Sequence, residues 1–199
     1  MSASRSSFGG VIAWGVWATF FAAALFFVAH YASNVPSWDD WDMVPTLTRN
    51  QPVNWDWLWS QHNEHRVPIP RLIFLGLNRL TLVDMRVTMY FDVLVMAALA
   101  AAMMLTAARL RGRPGAEDAF FPLVLLHWGQ AANLLWGWQL QFFASVALAC
   151  VALLSIVRAG TTVPVRRAAV TVGVCALLLP LCGANGLGMV PALAAWPLA

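Results

Sequence analysis

Lysine is missing from the chain altogether, so all of its positive charge is arginine. Charged residues of both signs make up only 11% of the 199 residues against 60% hydrophobic ones. That balance excludes a soluble globular domain and points to a protein that crosses a membrane several times. The arginines sit in short turns rather than in a stripe between aromatics, which sets orientation in a bilayer and excludes a nucleic-acid partner. Cysteine is scarce: Cys150, Cys175 and Cys182 lie inside apolar runs with no CxxC pairing, so they read as buried thiols. There is no HExxH, no glycine-rich phosphate loop, no nucleotide fingerprint and no serine-histidine-aspartate arrangement.

What is there is a series of apolar runs that are continuous rather than alternating, so the expected fold class is all-α, a polytopic transmembrane helix bundle of five to six spans in a single membrane domain. The spans are expected at 9–32, 84–110, 119–133, 139–157 and 168–182, with a partial sixth at 186–199. The first run is about two dozen residues, too long for the core of a cleaved secretory signal of roughly 7–15 residues, so it is expected to stay as a span. The stretch from 119 to 157 would need about 60 Å as one helix, twice a bilayer core, so it must turn back, and the corner is expected at 133–141 around Gly137. The turn at 109–118 and the one at 157–167 each carry three arginines, which places both on the cytoplasmic side, with the N-terminus, in a bacterial cytoplasmic membrane. The segment between the first two spans then lies outside. The chain reaches Ala199 in an apolar run without a basic tail, as an N-terminal piece of a longer chain would.

The outward segment, 33–70, concentrates chemistry. Residues 33–71 hold five of the nine acids, two of the four histidines and five of the eleven tryptophans. Ser37 precedes Trp38-Asp39-Asp40 as a helix cap would, which gives Asp39 and Asp40 a structural use beside a catalytic one. The indoles at 55, 57 and 59 fit either an aromatic belt at headgroup level or stacking against a sugar. His62 and His65, three apart with Glu64 between, could share a divalent metal if Asp40 or Asp42 supplied a further ligand; magnesium or manganese would use Asp40, Asp42 and Glu64, zinc the imidazoles. Residues 71–82 are too short to span, and their polar positions Arg71, Asn78 and Arg79 share one face, so a helix lying in the interface is expected there. Gln139 and Gln141 beside tryptophans could anchor in the interface or hydrogen bond a headgroup or sugar.

Four short stretches carry a resemblance: Asp39-Asp40; Asn63-Glu64-His65-Arg66 followed by prolines; Leu135-Trp136-Gly137-Trp138-Gln139-Leu140-Gln141; and Ala184-Asn185-Gly186-Leu187. With the order of a first span, a long outward loop opening on paired acids, an interface helix and then repeated spans, the chain resembles the N-terminal half of the GT-C class of integral membrane glycosyltransferases, and more narrowly a group of bacterial polytopic membrane proteins placed with that class. The resemblance implies a polyprenyl-phosphate-linked sugar as donor, transfer on the outer face of the membrane, and an acid of the first outward loop as base or metal ligand, here Asp40 with Asp39. Members of the class carry further spans beyond this length. On chemical grounds a lipid-phosphate sugar is already activated, so a carboxylate near the acceptor and an arginine or divalent cation at the departing phosphate would suffice. Asp40 and Arg66 take those roles, with Arg71 in reserve; His62, Glu64 and His65 could orient the sugar or share a metal, and Gln139 is a further substrate contact. Two other classes stay open: a non-catalytic membrane scaffold using the indoles for docking, and a small transporter subunit using Asp92 inside the second span.

Overall fold

A computed structural model describes the backbone of residues 2–196 and the side chains of residues 8–196. The described chain is helical, and its only β-type pairing is two isolated bridges. In chain order the α-helices are α1 (Ser2–Tyr31), α2 (Val44–Leu47), α3 (Trp55–Trp59), α4 (Pro68–Leu80), α5 (Arg86–Arg111), α6 (Phe120–Leu125), α7 (Ala131–Leu134), α8 (Leu140–Arg158), α9 (Val165–Leu178) and α10 (Ala184–Ala195), linked in places by single 3-10 turns. Three stretches are long and apolar enough to cross a membrane: Phe8–Tyr31, Arg86–Arg111 and Gly137–Arg158. They correspond to the expected spans at 9–32, 84–110 and 139–157. α1 begins at Ser2, ahead of the expected start at residue 9; the side chains of residues 2–7, and residues 197–199 of the expected sixth span, lie outside what is described.

Two compact units make up the chain. The first comprises residues 1–32 and 89–135. Here Ala13 of α1, Met104 of α5 and Ala119 form a small core that Val16, Trp17 and Phe121 cover. The indole of Trp17 donates to the Ala97 carbonyl at 2.9 Å, an unusual use of a helix carbonyl that ties α1 to α5. The arginine turn is closed by Arg111, whose Nη2 reaches both oxygens of Asp118 at 2.7 and 2.6 Å. The expected span at 119–133 is not a single helix. α6 stops after six residues, the 3-10 turn Trp128–Gln130 containing Gly129 follows, and α7 adds four residues. The physical reason is a contact distant in sequence: Trp128 leaves the helical path to stack on Phe27 at 5.3 Å and donate to the Ala23 carbonyl at 3.3 Å.

The second unit comprises residues 33–88 and 136–199. α8, α9 and α10 pack around Ala152, Val172 and Cys175, with Leu193 and Trp196 closing over them. α9 has 14 residues and α10 has 12, short of the length of α8, and the connection between them turns at Gly183, whose φ of +141 is open only to glycine. α4 begins three residues before its expected start because Pro68 and Pro70 fit its first turn, where no N–H is needed. Its orientation reverses the expectation. Of the three polar positions expected on one face, Arg71 and Asn78 are buried against the protein and Arg79 is exposed, while Leu72 and Leu80 on the other side are 50% and 84% exposed. Burial of the polar face is possible because Arg71 finds backbone carbonyls and Asn78 Nδ2 donates to the Phe74 carbonyl at 3.0 Å.

Candidate functional site

Within the second unit the segment 33–70 folds onto the start of α8. Trp38 takes a left-handed φ of +48, rare for a bulky residue, and the 3-10 turn Trp38–Met43 follows. The two acids then diverge. Asp40 is fully buried, and its Oδ2 accepts the Ser37 amide at 3.0 Å, the reach-back that fixes an acid at the third position of a helical turn. Its Oδ1 is buried without a hydrogen-bond partner; the Trp138 amide lies toward the carboxyl without closing a bond to that oxygen. Burial pushes the Asp40 carboxyl up to about 6, against the opposing pull of the Ser37 and Trp138 amides and with a smaller upward push from Asp39.

Asp39 is half-exposed and faces His62, its Oδ2 lying 3.4 Å from Nε2. His62 is buried at the head of a tight turn in which His62 and His65 exchange backbone hydrogen bonds of 2.7 and 3.1 Å around Asn63, an asparagine at φ +50. The Trp138 indole donates to His62 Nε2 at 2.9 Å, which makes that nitrogen an acceptor and leaves the proton on Nδ1, 3.2 Å from Asp42 Oδ2. His62 therefore links the acid-bearing turn to the start of α8. The His65 ring lies beside it, centroids 5.9 Å apart, and its Nε2 meets Gln141 Oε1 at 3.3 Å. Gly183 adjoins the same point: a β-carbon there would stand 3.6 Å from His65 Cδ2, 3.5 Å from Gln141 Oε1 and 3.0 Å from Asn185 Oδ1. The stretches around Asp40, His65, Trp138 and Asn185, far apart in sequence, thus share one site.

Other candidates fall differently. Arg71 is committed to the fold: its Nη1 donates to the carbonyls of Trp57, Leu58 and Ser60 at 2.8, 3.3 and 2.7 Å, closing the C-terminal end of α3. Burial lowers the Arg71 guanidinium from its usual value, opposed by Asp42. Arg66 is exposed and uses only Nε in the described contacts, donating to the Trp59 carbonyl at 2.8 Å, which leaves its terminal amino groups uncommitted among them. Gln139 is buried, with Oε1 unpartnered among the described residues. Glu64 is exposed. Among the described residues no group of three or more His, Cys, Asp or Glu is arranged to hold a metal ion, so the cradle expected from Asp40, Asp42 and Glu64 is not assembled.

Sequence reasoning missed Trp138, whose indole in a membrane corner reads as an interfacial anchor, and the fit at Gly137. A β-carbon at Gly137 would stand 2.7 Å from Thr88 Oγ1, 3.3 Å from Asp40 Oδ1 and 3.3 Å from the Phe74 ring. Thr88 is held by its own bond to the Met85 carbonyl at 2.9 Å and cannot simply swing away. Gly137→Ala is expected to cost about 1–3 kcal/mol, read as a lower melting temperature in detergent.

Fold and site together define an all-helical protein with three membrane-length helices and one buried cluster of acid, imidazole and indole. No protein-family model matches the chain, and neither a curated protein nor a solved structure matches it.

Proposed function

We propose that the chain is a glycosyltransferase-like protein of a bacterial cytoplasmic membrane, transferring a sugar from a polyprenyl-phosphate donor on the outer face, with Asp40 as the base. The observation that carries this reading is the Asp40 carboxyl: fully buried, fixed through Oδ2, pushed up to about 6, and left with an unpartnered Oδ1. A carboxylate in that state is poised to take a proton near neutral pH. The acceptor hydroxyl gives its proton to Oδ1 as its oxygen bonds to the sugar's anomeric carbon, and the bond from that carbon to the lipid phosphate breaks. Arg66 supplies positive charge to the departing phosphate.

In this reading the membrane is crossed five to six times, with the N-terminus and both arginine turns in the cytoplasm. The contact of Trp138 with His62 starts α8 on the side of the outward segment, so 119–135 carries the chain back across as a broken helix. α9 with its following 3-10 turn makes a shorter crossing, and α10, at 12 residues, is the start of a partial sixth. Single cysteines at Val53 and Arg113 in a cysteine-free background are expected to label from opposite sides, Val53 from outside; labelling from one side overturns the span count. Donor recognition is tested by binding a polyprenyl-phosphate sugar and the corresponding free polyprenol to the detergent-solubilised chain. The phosphate-bearing lipid is expected to bind at least tenfold more tightly, a preference lost in Arg66→Ala; equal binding of the two lipids removes the reading.

A transporter is the second reading, favoured by Asp92: this acid of α5 is fully buried and neither of its carboxylate oxygens has a hydrogen-bond partner among the described residues. Proton-coupled uptake abolished by Asp92→Asn would support it.

A further inference from the structure

The reversed face of α4 has no use inside the protein. Viewed along the helix, Ile69, Ile73, Gly76 and Leu80 oppose the buried Arg71 and Asn78, and Leu72 lies beside them; apart from Arg79, which is exposed one helical repeat beyond Leu72 and whose long stem can carry its charge up to the headgroups, what the helix turns outward is hydrocarbon. An ordinary interfacial helix does the opposite and offers its polar face to water. The end of α4 adds a second and independent sign. The helix closes in a Schellman-type turn: the Val83 amide donates to the Asn78 carbonyl at 2.7 Å, and the residue between Thr81 and Val83 sits in the left-handed region where glycine is the usual choice. Here that residue is Leu82, with φ +55, and Val83 follows at φ +66. Leu82 is 94% exposed. A leucine that strains its backbone and touches almost nothing in its own chain is not placed there by folding.

We infer that Leu72, Leu80 and Leu82 form an edge that sits in the hydrocarbon of the outer leaflet just beneath the headgroups, with lipid as the partner that covers it. The inference rests on the membrane reading of the chain but not on its chemistry. Chain continuity identifies lipid rather than a protein as the occupant: four residues after Leu82 begins α5, one of the membrane-length helices. Between them Arg86 grips Asp84 with Nε at 2.9 Å and Nη2 at 2.8 Å, a charged pair suited to the headgroup layer. At about 20 Å, α4 is too short to cross and can lie along that boundary. Its buried polar face then does for the fold what water does for a free amphipathic helix. The edge sets the depth at which the segment carrying Asp40 and Arg66 stands, level with a phosphate at the membrane surface.

The test uses the full chain without its three cysteines, in phosphatidylcholine vesicles at high lipid-to-protein ratio, with nitroxide labels on single cysteines at 72, 80 and 82. Collision with molecular oxygen, which concentrates in hydrocarbon, is compared with collision with a water-soluble nickel chelate. Oxygen is expected to dominate at all three positions. Domination by nickel means the edge faces water, and exclusion of both reagents means that protein, such as a second copy of the chain, covers it; either overturns the inference. Leu82→Gly provides a separate check. It is expected to melt no earlier than the parent in detergent, because glycine relieves the left-handed strain, and to lower the oxygen-to-nickel ratio at a label on position 80. An earlier melt would mean that Leu82 serves the fold, and the inference fails. These readouts need no activity, so they stand or fall apart from the transferase reading.

Discussion

Asp40→Asn is expected to stabilise the protein while abolishing sugar transfer. In the folded state burial raises the Asp40 carboxyl from its usual 3.8 to about 6, whereas in the unfolded chain it titrates in water. Between those values the folded protein holds a proton that the unfolded one releases, so stability from this group is complete below about pH 4 and lost as pH rises through 6. Above that, keeping a charged carboxylate buried costs about 3 kcal/mol, from a shift of roughly two units at 1.36 kcal/mol each. Asparagine keeps the shape and can still accept the Ser37 amide, but it has no charge to bury. Denaturation in detergent between pH 4 and 8 is expected to show the parent losing stability across that window relative to the variant, with the variant ahead above pH 6. Transfer by the parent is expected to rise with pH through 6 as the base ionises. An acid serving only as a cap would give the opposite sign: a loss of about 1 kcal/mol on substitution and near-normal turnover.

Arg71→Ala is expected to have the second largest effect, and on folding rather than on ligand binding. Its guanidinium donates to three carbonyls at the end of α3, and the Trp57 ring lies 5.7 Å from its central carbon. Removing it strands those carbonyls in a largely buried place, a loss of about 3 kcal/mol. Arg71→Lys is expected to recover part of this, because an ammonium can reach some of the carbonyls but cannot reproduce the planar fork. Melting temperatures and binding of a polyprenyl-phosphate sugar, measured on the same preparations, separate the alternatives. A protein that melts normally and has lost only donor binding would move Arg71 to the phosphate, the role for which the sequence held it in reserve.

The contrast between Arg71 and Arg66 shows where a sequence stops being informative. Both are arginines beside an acidic loop, and nothing local says that one closes a helix while the other stays exposed. The membrane-length helices were legible because each is an unbroken apolar run, and a run of that kind has few other uses. α6 and α7 were not, because their break comes from Trp128 finding partners about a hundred positions earlier, at Ala23 and Phe27. The face of α4 was grouped correctly for Arg71 and Asn78 but not for Arg79, which stays exposed; periodicity shows which residues lie near one another, but only the carbonyls of α3 decide that Arg71 turns inward. Likewise the segment holding the candidate site could be found by counting acids and imidazoles, and the cap-like Ser37 before Asp39 and Asp40 marked a helical turn there. The partner of His62 could not be found, since Trp138 stands 76 residues away and no periodicity joins them.

The most direct measurement is transfer of labelled sugar from a polyprenyl-phosphate donor by the membrane-inserted chain, with Asp40→Asn and Asp39→Asn at matched expression. Transfer by the parent, its loss in Asp40→Asn beyond a hundredfold, and a much smaller loss in the half-exposed Asp39→Asn are the expected results. Full transfer by Asp40→Asn would contradict the account.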